Sequence, residues 1–143
     1  MLQIFLSANS ITNMFTYNYT VKFGDCDPAG ILYFANIFKI CHSAFEEFLI
    51  EKGISKDYFS GEELIFPLLS ANAKYLRQIP VHSGIEIKVS TTDVRTNAFS
   101  LNYRVLGSGE ILLADVETVH VCVNKSTGTK TNLPGYLTEA FKE

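Results

Sequence analysis

Cysteine is scarce in this chain, and its few positions exclude two kinds of scaffold. Cys26, Cys41 and Cys122 are odd in number and form no CxxC pair. Neither a disulfide framework nor a zinc knuckle is written here, and free thiols suit a reducing, cytoplasmic setting. No apolar run approaches the length of a membrane span. Basic residues do not outnumber acidic ones, and the formal charge of −3 gives no reason to expect nucleic acid or an anionic membrane as partner. A few Lys and Arg can still converge on an anionic ligand. Internal repeats and low-complexity segments are missing too. The opening MLQIFLSANSITN has an apolar patch but no basic residue before Lys22, which makes a poor secretory signal. The regular pattern starts at Met14. Residues 1–13 are therefore expected to be a flexible extension, or the product of an upstream start, and 14–143 a single domain.

What is present is ordinary globular material: 143 residues, 47% hydrophobic and 19% charged, enough for one real core. FTYNYTVKF, residues 15–23, alternates with period two in strand-forming residues and predicts a strand. GDCDPAG interrupts it as a loop. In NIFKICHSAFEEFLIEKG, Ile37, Cys41, Ala44, Phe45, Phe48 and Leu49 recur at three- and four-residue steps, and Gly53 is a natural stop. That is a long helix with a broad apolar stripe. After the polar connection ISKDYFSGEE come four further strands. Residues 65–77 carry Ile65, Leu69, Ala71, Ala73 and Tyr75 on one face; Ile85, Ile87 and Val89 mark the next, and Phe99, Leu101, Tyr103 and Val105 a third. GSGE then turns into ILLADVETVHVCV as a hairpin, and PGYLTEAFKE offers a short terminal helix. One broad-striped helix among five strands needs a curved antiparallel sheet to wrap it, an α+β architecture.

FGDCDPAGILYFANIF followed by CHSAFEEFL resembles the 4-hydroxybenzoyl-CoA thioesterase family of hot-dog acyl-CoA hydrolases. The likeness is densest over residues 21–50 and runs from about 15 to about 134. The stretches FTY, ICHSAF, FPL and HVCV also resemble the branch acting on 1,4-dihydroxy-2-naphthoyl-CoA. The resemblance implies five strands wrapped around the helix, subunits paired edge to edge as a homodimer and often further as a homotetramer, and sites at the dimer interface. It implies an acyl-CoA substrate, no cofactor and no metal. Position by position, Asp27 matches the catalytic aspartate, and the backbone N–H of Phe34 matches the group that polarises the thioester carbonyl, where the 4-hydroxybenzoyl enzyme carries tyrosine. Arg95 falls where that enzyme has a basic cluster contacting the nucleotide, although Thr96 and Asn97 are not basic here.

The chemistry of the motif agrees. A thioester has a good leaving group, because thiolate is stable near neutral pH, so it needs an activated nucleophile and donors for the developing oxyanion. A carboxylate supplies the first, as nucleophile or general base, and free N–H groups at a helix N-terminus supply the second. Gly30 would let backbone approach the substrate closely, and Pro28 would stiffen the turn. Asp25 is the lesser acid, orienting the loop or holding a partner of Asp27; together with Tyr33 and Arg95 it is assigned to substrate binding. The plainer alternative for Asp27 is an Asx turn before Pro28. Cys26, between two carboxylates, is a poor thiolate and so a bystander. His42 with Glu46 offers a hydratase-type acid–base pair or a simple i,i+4 contact. His82 and His120 read as structural or solvated, and His120 with Cys122 does not make a zinc site. Lys74, Arg77 and Arg104 are further candidates for phosphate contacts. Phe34, Phe38, Phe66 and Tyr75 would line a flat acyl pocket or simply pack the core.

Overall fold

The computed structural model describes residues 14–142; the expected extension over 1–13 lies outside the described residues. The strands are β1 (Phe15–Thr20), β2 (Leu64–Ile65), β3 (Leu68–Tyr75), β4 (Gly84–Val94), β5 (Ala98–Leu106), β6 (Leu112–Val121) and β7 (Val123–Asn124). The helices are α1 (Asn36–Glu51), α2 (Ser55–Ser60) and α3 (Gly135–Lys142). Five strands form one antiparallel sheet in the order β1-β4-β5-β6-β3, and β2 pairs separately with β7. This is the hot-dog arrangement that the sequence resemblance implies.

Period-two alternation puts Ile85, Ile87 and Val89 of β4, Leu101, Tyr103 and Val105 of β5, and Ala114 and Val116 of β6 on the buried face. Against it α1 lays Ile37, Ile40, Cys41, Ala44, Phe45, Phe48 and Leu49, all buried. The helix ends in a Schellman motif. Gly53, at φ +74°, donates to the Ile50 carbonyl, and Ile54 donates to that of Leu49. Phe45 sits at the centre, with rings of Phe48, Tyr58, Phe99, His120 and Phe141 around it.

Four details differ from the sequence expectation. The strand expected over 65–77 breaks at Pro67, which has no N–H for a ladder, into β2 and β3. The strand expected over 15–23 ends at Thr20, and Phe23–Asp25 turns as a short 3-10 helix. The polar connection after α1 contains α2, anchored by buried Tyr58. Finally, β3 is exposed along nearly its whole length, including Leu69 and Tyr75. It is an edge strand with nothing beyond it, so its apolar residues lack a second wall.

Truncating Phe45→Ala should cost about 3–5 kcal/mol, the range for emptying a packed aromatic site. Chemical denaturation of the two proteins measures this directly.

Candidate active site

The chain leaves β1 and crosses the end of the sheet, held by the Val21 N–H on the Ser83 carbonyl (2.9 Å) and the His82 N–H on the Val21 carbonyl (2.7 Å). Asp25 is the knot of the loop that follows. Its Oδ2 accepts from the Tyr19 hydroxyl at 2.7 Å and the Lys22 N–H at 2.9 Å. Its carbonyl accepts from the Tyr33 N–H at 3.0 Å and from Asn36 Nδ2 at 2.8 Å. One residue thus ties the end of β1 to the start of α1. Burial, and then the bond to Asp25 and its charge, push the Tyr19 hydroxyl up to about 12.

Asp27 begins a tight turn. The Gly30 N–H donates to the Asp27 carbonyl at 3.0 Å, and the Asp27 N–H to the Ile31 carbonyl at 2.9 Å. Cys26 bridges to Leu32 just outside it. Gly30 has φ +77°, and a Cβ built there would meet no atom within 4 Å. The left-handed backbone, rather than crowding, keeps glycine at this position. Oδ1 of Asp27 accepts from the Ala29 N–H at 2.9 Å and, weakly, from Ile31 at 3.5 Å. The Asx turn offered as the plainer reading therefore exists. It engages one oxygen only: among the described residues Oδ2 accepts no hydrogen bond. The turn fixes the carboxylate and leaves half of it available.

Asp27 lines a hollow of about 520 Å³ with Tyr33, Phe34, Tyr75 and Arg77. Phe34 lies in the turn leading into α1, and its carbonyl accepts a hydrogen bond from the Tyr75 hydroxyl. No described residue accepts from its N–H. Asp27 and Phe34, the latter near the positive end of a 16-residue helix, thus line one open cleft. Phe34 is 61% exposed and Tyr33 45%, so one side of the hollow is bare.

Other candidates lie elsewhere. Arg95 follows β4 at its far end, where it pairs with Asp93 at 2.7 Å. The 11 residues of β4 put it roughly 35 Å from the Asp27 loop at ~3.3 Å per residue. Within one chain the two do not meet. His42 and Glu46 are exposed and share no hydrogen bond among the described residues. His82 is exposed in a turn at φ +66°. His120 is buried in β6, with its ring stacked on Phe99. Burial, then Asp25 and Asp27, raise the Cys26 thiol pKa, which keeps it a bystander. The four rings expected in one pocket divide: Phe34 and Tyr75 line the hollow, while Phe38 and Phe66 line a second cavity. Among the described residues no His, Cys, Asp or Glu cluster of metal-binding size occurs, and no helix is long and apolar enough to cross a membrane. Sequence reasoning missed Tyr19 and Asn36 as partners of Asp25. Tyr19 lies on the inward-alternating face at the loop end of β1, a signal that could have been used; nothing in the spacing marks Asn36.

A hot-dog sheet with a carboxylate loop at the helix entrance defines a class, and the family match bears it out. The thioesterase-like superfamily model matches residues 21–141, and the chain belongs to that superfamily. It is 36% identical over 126 residues to the 1,4-dihydroxy-2-naphthoyl-CoA hydrolase of Nostoc punctiforme, covering 87% of this chain and 84% of that one. The corresponding hydrolase of Thermosynechococcus vestitus is 32% identical, with 85% and 84% covered. The crystal structure of a 1,4-dihydroxy-2-naphthoyl-CoA thioesterase from Synechocystis superposes with a TM-score of 0.86 at 26% identity, over 92% of this chain and 97% of that one.

The raised Tyr19 value has a readable consequence. The fold prefers the neutral phenol, so the contribution of Tyr19 to stability is complete below the ordinary value near 10. It fades as the pH rises toward 12. Stability of wild type and Tyr19→Phe compared from pH 9 to 12 should converge across that window, because only wild type has this contribution to lose.

Proposed function

We propose that the protein hydrolyses the thioester of an aromatic acyl-CoA, releasing free acid and CoA. The observation that carries this is that one hollow is lined both by Asp27, whose Oδ2 accepts no hydrogen bond among the described residues, and by Phe34, whose N–H finds no acceptor among them. The thioester carbonyl oxygen accepts from that N–H and takes up negative charge as the tetrahedral intermediate forms. Asp27 either attacks the carbonyl carbon itself or removes a proton from the attacking water. Collapse expels the CoA thiolate, which needs little acid assistance; where Asp27 has attacked, this leaves a mixed anhydride that water then hydrolyses, freeing Asp27, and by either route water supplies the oxygen of the product acid. Asp25, held by Tyr19, fixes the loop, and Arg77 stands beside the hollow for an anionic substrate. The acyl group favoured is 1,4-dihydroxy-2-naphthoyl over 4-hydroxybenzoyl, in keeping with the curated relatives. The setting is the cytoplasm.

The functional unit is a homodimer or a homotetramer built from it. The long exposed edge of β3, with Leu68 and Leu69 at 55% and 62% exposure, is a ready template for a second copy. Pairing there would bring a partner surface over the bare side of the hollow and carry its distant Arg95 into reach of a bound nucleotide. His42, without a bond to Glu46, gives no specific support to a hydratase.

Thiol release from a panel of aromatic and aliphatic acyl-CoAs tests the activity. Wild type should hydrolyse aromatic thioesters, and Asp27→Asn should be slower by at least about 10²-fold; equal release by both proteins sinks the assignment. Light scattering should give wild type twice or four times the chain mass. Leu69→Asp, folded by circular dichroism, should shift to the monomer and lose most activity. A monomeric, fully active wild type would remove the interface from the mechanism.

A further inference from the structure

The larger cavity is not the one at Asp27. About 850 Å³ lies between α1, α2, the β2–β3 segment and the inner face of the sheet, within the ~300–1,000 Å³ of small-molecule sites. It lies next to the hollow along α1 and β3. Phe34 borders the hollow, and Phe38, one helical turn on, borders the cavity; Tyr75 and Ala71 do the same along β3. A substrate whose thioester rests at Phe34 and Asp27 has this chamber next in line for the rest of its acyl group.

Most of its wall is apolar, and part of it is flat. Tyr58 and Phe66 stack at 4.5 Å with 11° between planes, and Phe99 and His120 at 5.0 Å with 10°. Lys39, His42 and Lys125 line it from exposed positions, and one buried stretch also breaks the pattern. Tyr103, Thr118 and His120 line the cavity, yet are only 1%, 8% and 6% exposed. Thr118 Oγ1 donates to the Tyr103 hydroxyl at 3.4 Å and lies 3.3 Å from His120 Nε2. Nδ1 of His120 is 3.4 Å from the Phe66 carbonyl. Each contact is longer than the ~2.8–2.9 Å usual for such bonds. A wall built only for packing would carry apolar residues, since buried polar groups cost free energy unless well bonded. These three are bonded, but slackly, so each has room for a better partner. Burial raises the Tyr103 hydroxyl pKa and lowers that of His120. The strip is therefore neutral near pH 7 and suited to a neutral hydroxyl.

We propose that this chamber takes the ring of a hydroxylated aromatic acyl group, and that Tyr103, Thr118 and His120 read a ring hydroxyl remote from the thioester. Both protein hydroxyls can donate or accept, so a phenolic O–H inserts among them without leaving any group unpaired. The inference rests on the thioesterase reading and adds the substrate's polar signature to it. An arene without the hydroxyl leaves the strip with its long mutual bonds only, a loss of about tenfold in kcat/KM for one neutral hydrogen bond.

The test compares kcat/KM for 4-hydroxy-2-naphthoyl-CoA with that for 2-naphthoyl-CoA. Wild type should favour the hydroxylated substrate by about tenfold or more, and Tyr103→Phe and Thr118→Val should each bring the ratio toward one. Thr118→Val preserves shape, so it decides the matter if Tyr103→Phe fails to fold. A wild-type ratio near one, or a ratio unchanged in the folded variants, overturns the inference while leaving the thioesterase standing. If folded wild type hydrolyses neither substrate, the thioesterase reading fails instead. The chamber is then judged by NMR titration with 1-naphthol against naphthalene. Preference for the naphthol that Thr118→Val removes upholds it, and equal or absent binding overturns it.

Discussion

Everything in this molecule depends on covering one side of α1. Seven of its residues are buried, and at about 1.5–3 kcal/mol for each large apolar side chain they are the principal reason the sheet curves around it. The aromatic knot at Phe45 draws in strands, α2 and α3 alike. Once the helix axis is held by that core, its N-terminus has a fixed place at the end of the sheet. The free N–H of Phe34 and the dipole behind it become permanent features of that place rather than properties of a mobile loop.

The two aspartates divide the work according to what surrounds them. Asp25 ties the loop together: its Oδ2 takes Tyr19 and Lys22, and its carbonyl takes Tyr33 and Asn36. Asp27 lines the hollow and Asp25 does not, which makes Asp25 a positioning residue in the proposed mechanism. Asp27 spends one oxygen on its own turn, and that local bond selects the rotamer that leaves the other free. The Asx turn and catalysis are therefore not rivals. In the proposed mechanism the turn would aim the acid.

Much of this was legible in the residues. Alternation identified the core strands, three- and four-residue spacing identified α1, and the DPAG turn gave away its glycine, which the positive φ of Gly30 requires. What could not be read depends on the sheet's order, which no local pattern records. The apolar face of β3 looks like a core face in sequence and is exposed because the strand lies at the edge. Family likeness assigns Arg95 to the nucleotide, and in one chain it lies beyond the far end of β4, a separation that local pattern does not record. The second cavity was equally hidden, since Tyr103, Thr118 and His120 come from two strands and meet only through the β5–β6 register.

That same edge unites the features that a single chain leaves unfinished. The bare side of the Asp27 hollow, the exposed rings of Tyr33 and Phe34, and the open edge of β3 with Tyr75 at its end lie together. Large exposed apolar groups beside an unsatisfied strand edge are costly in isolation and favourable when covered. Under the proposed pairing, one event would satisfy the edge, dry the cleft and strengthen every electrostatic contact within it, because excluding water lowers the local dielectric. Association and catalysis would then be a single physical requirement. A chain that failed to pair would keep its fold, since the Phe45 core lies wholly within it, but would present Asp27 to bulk water.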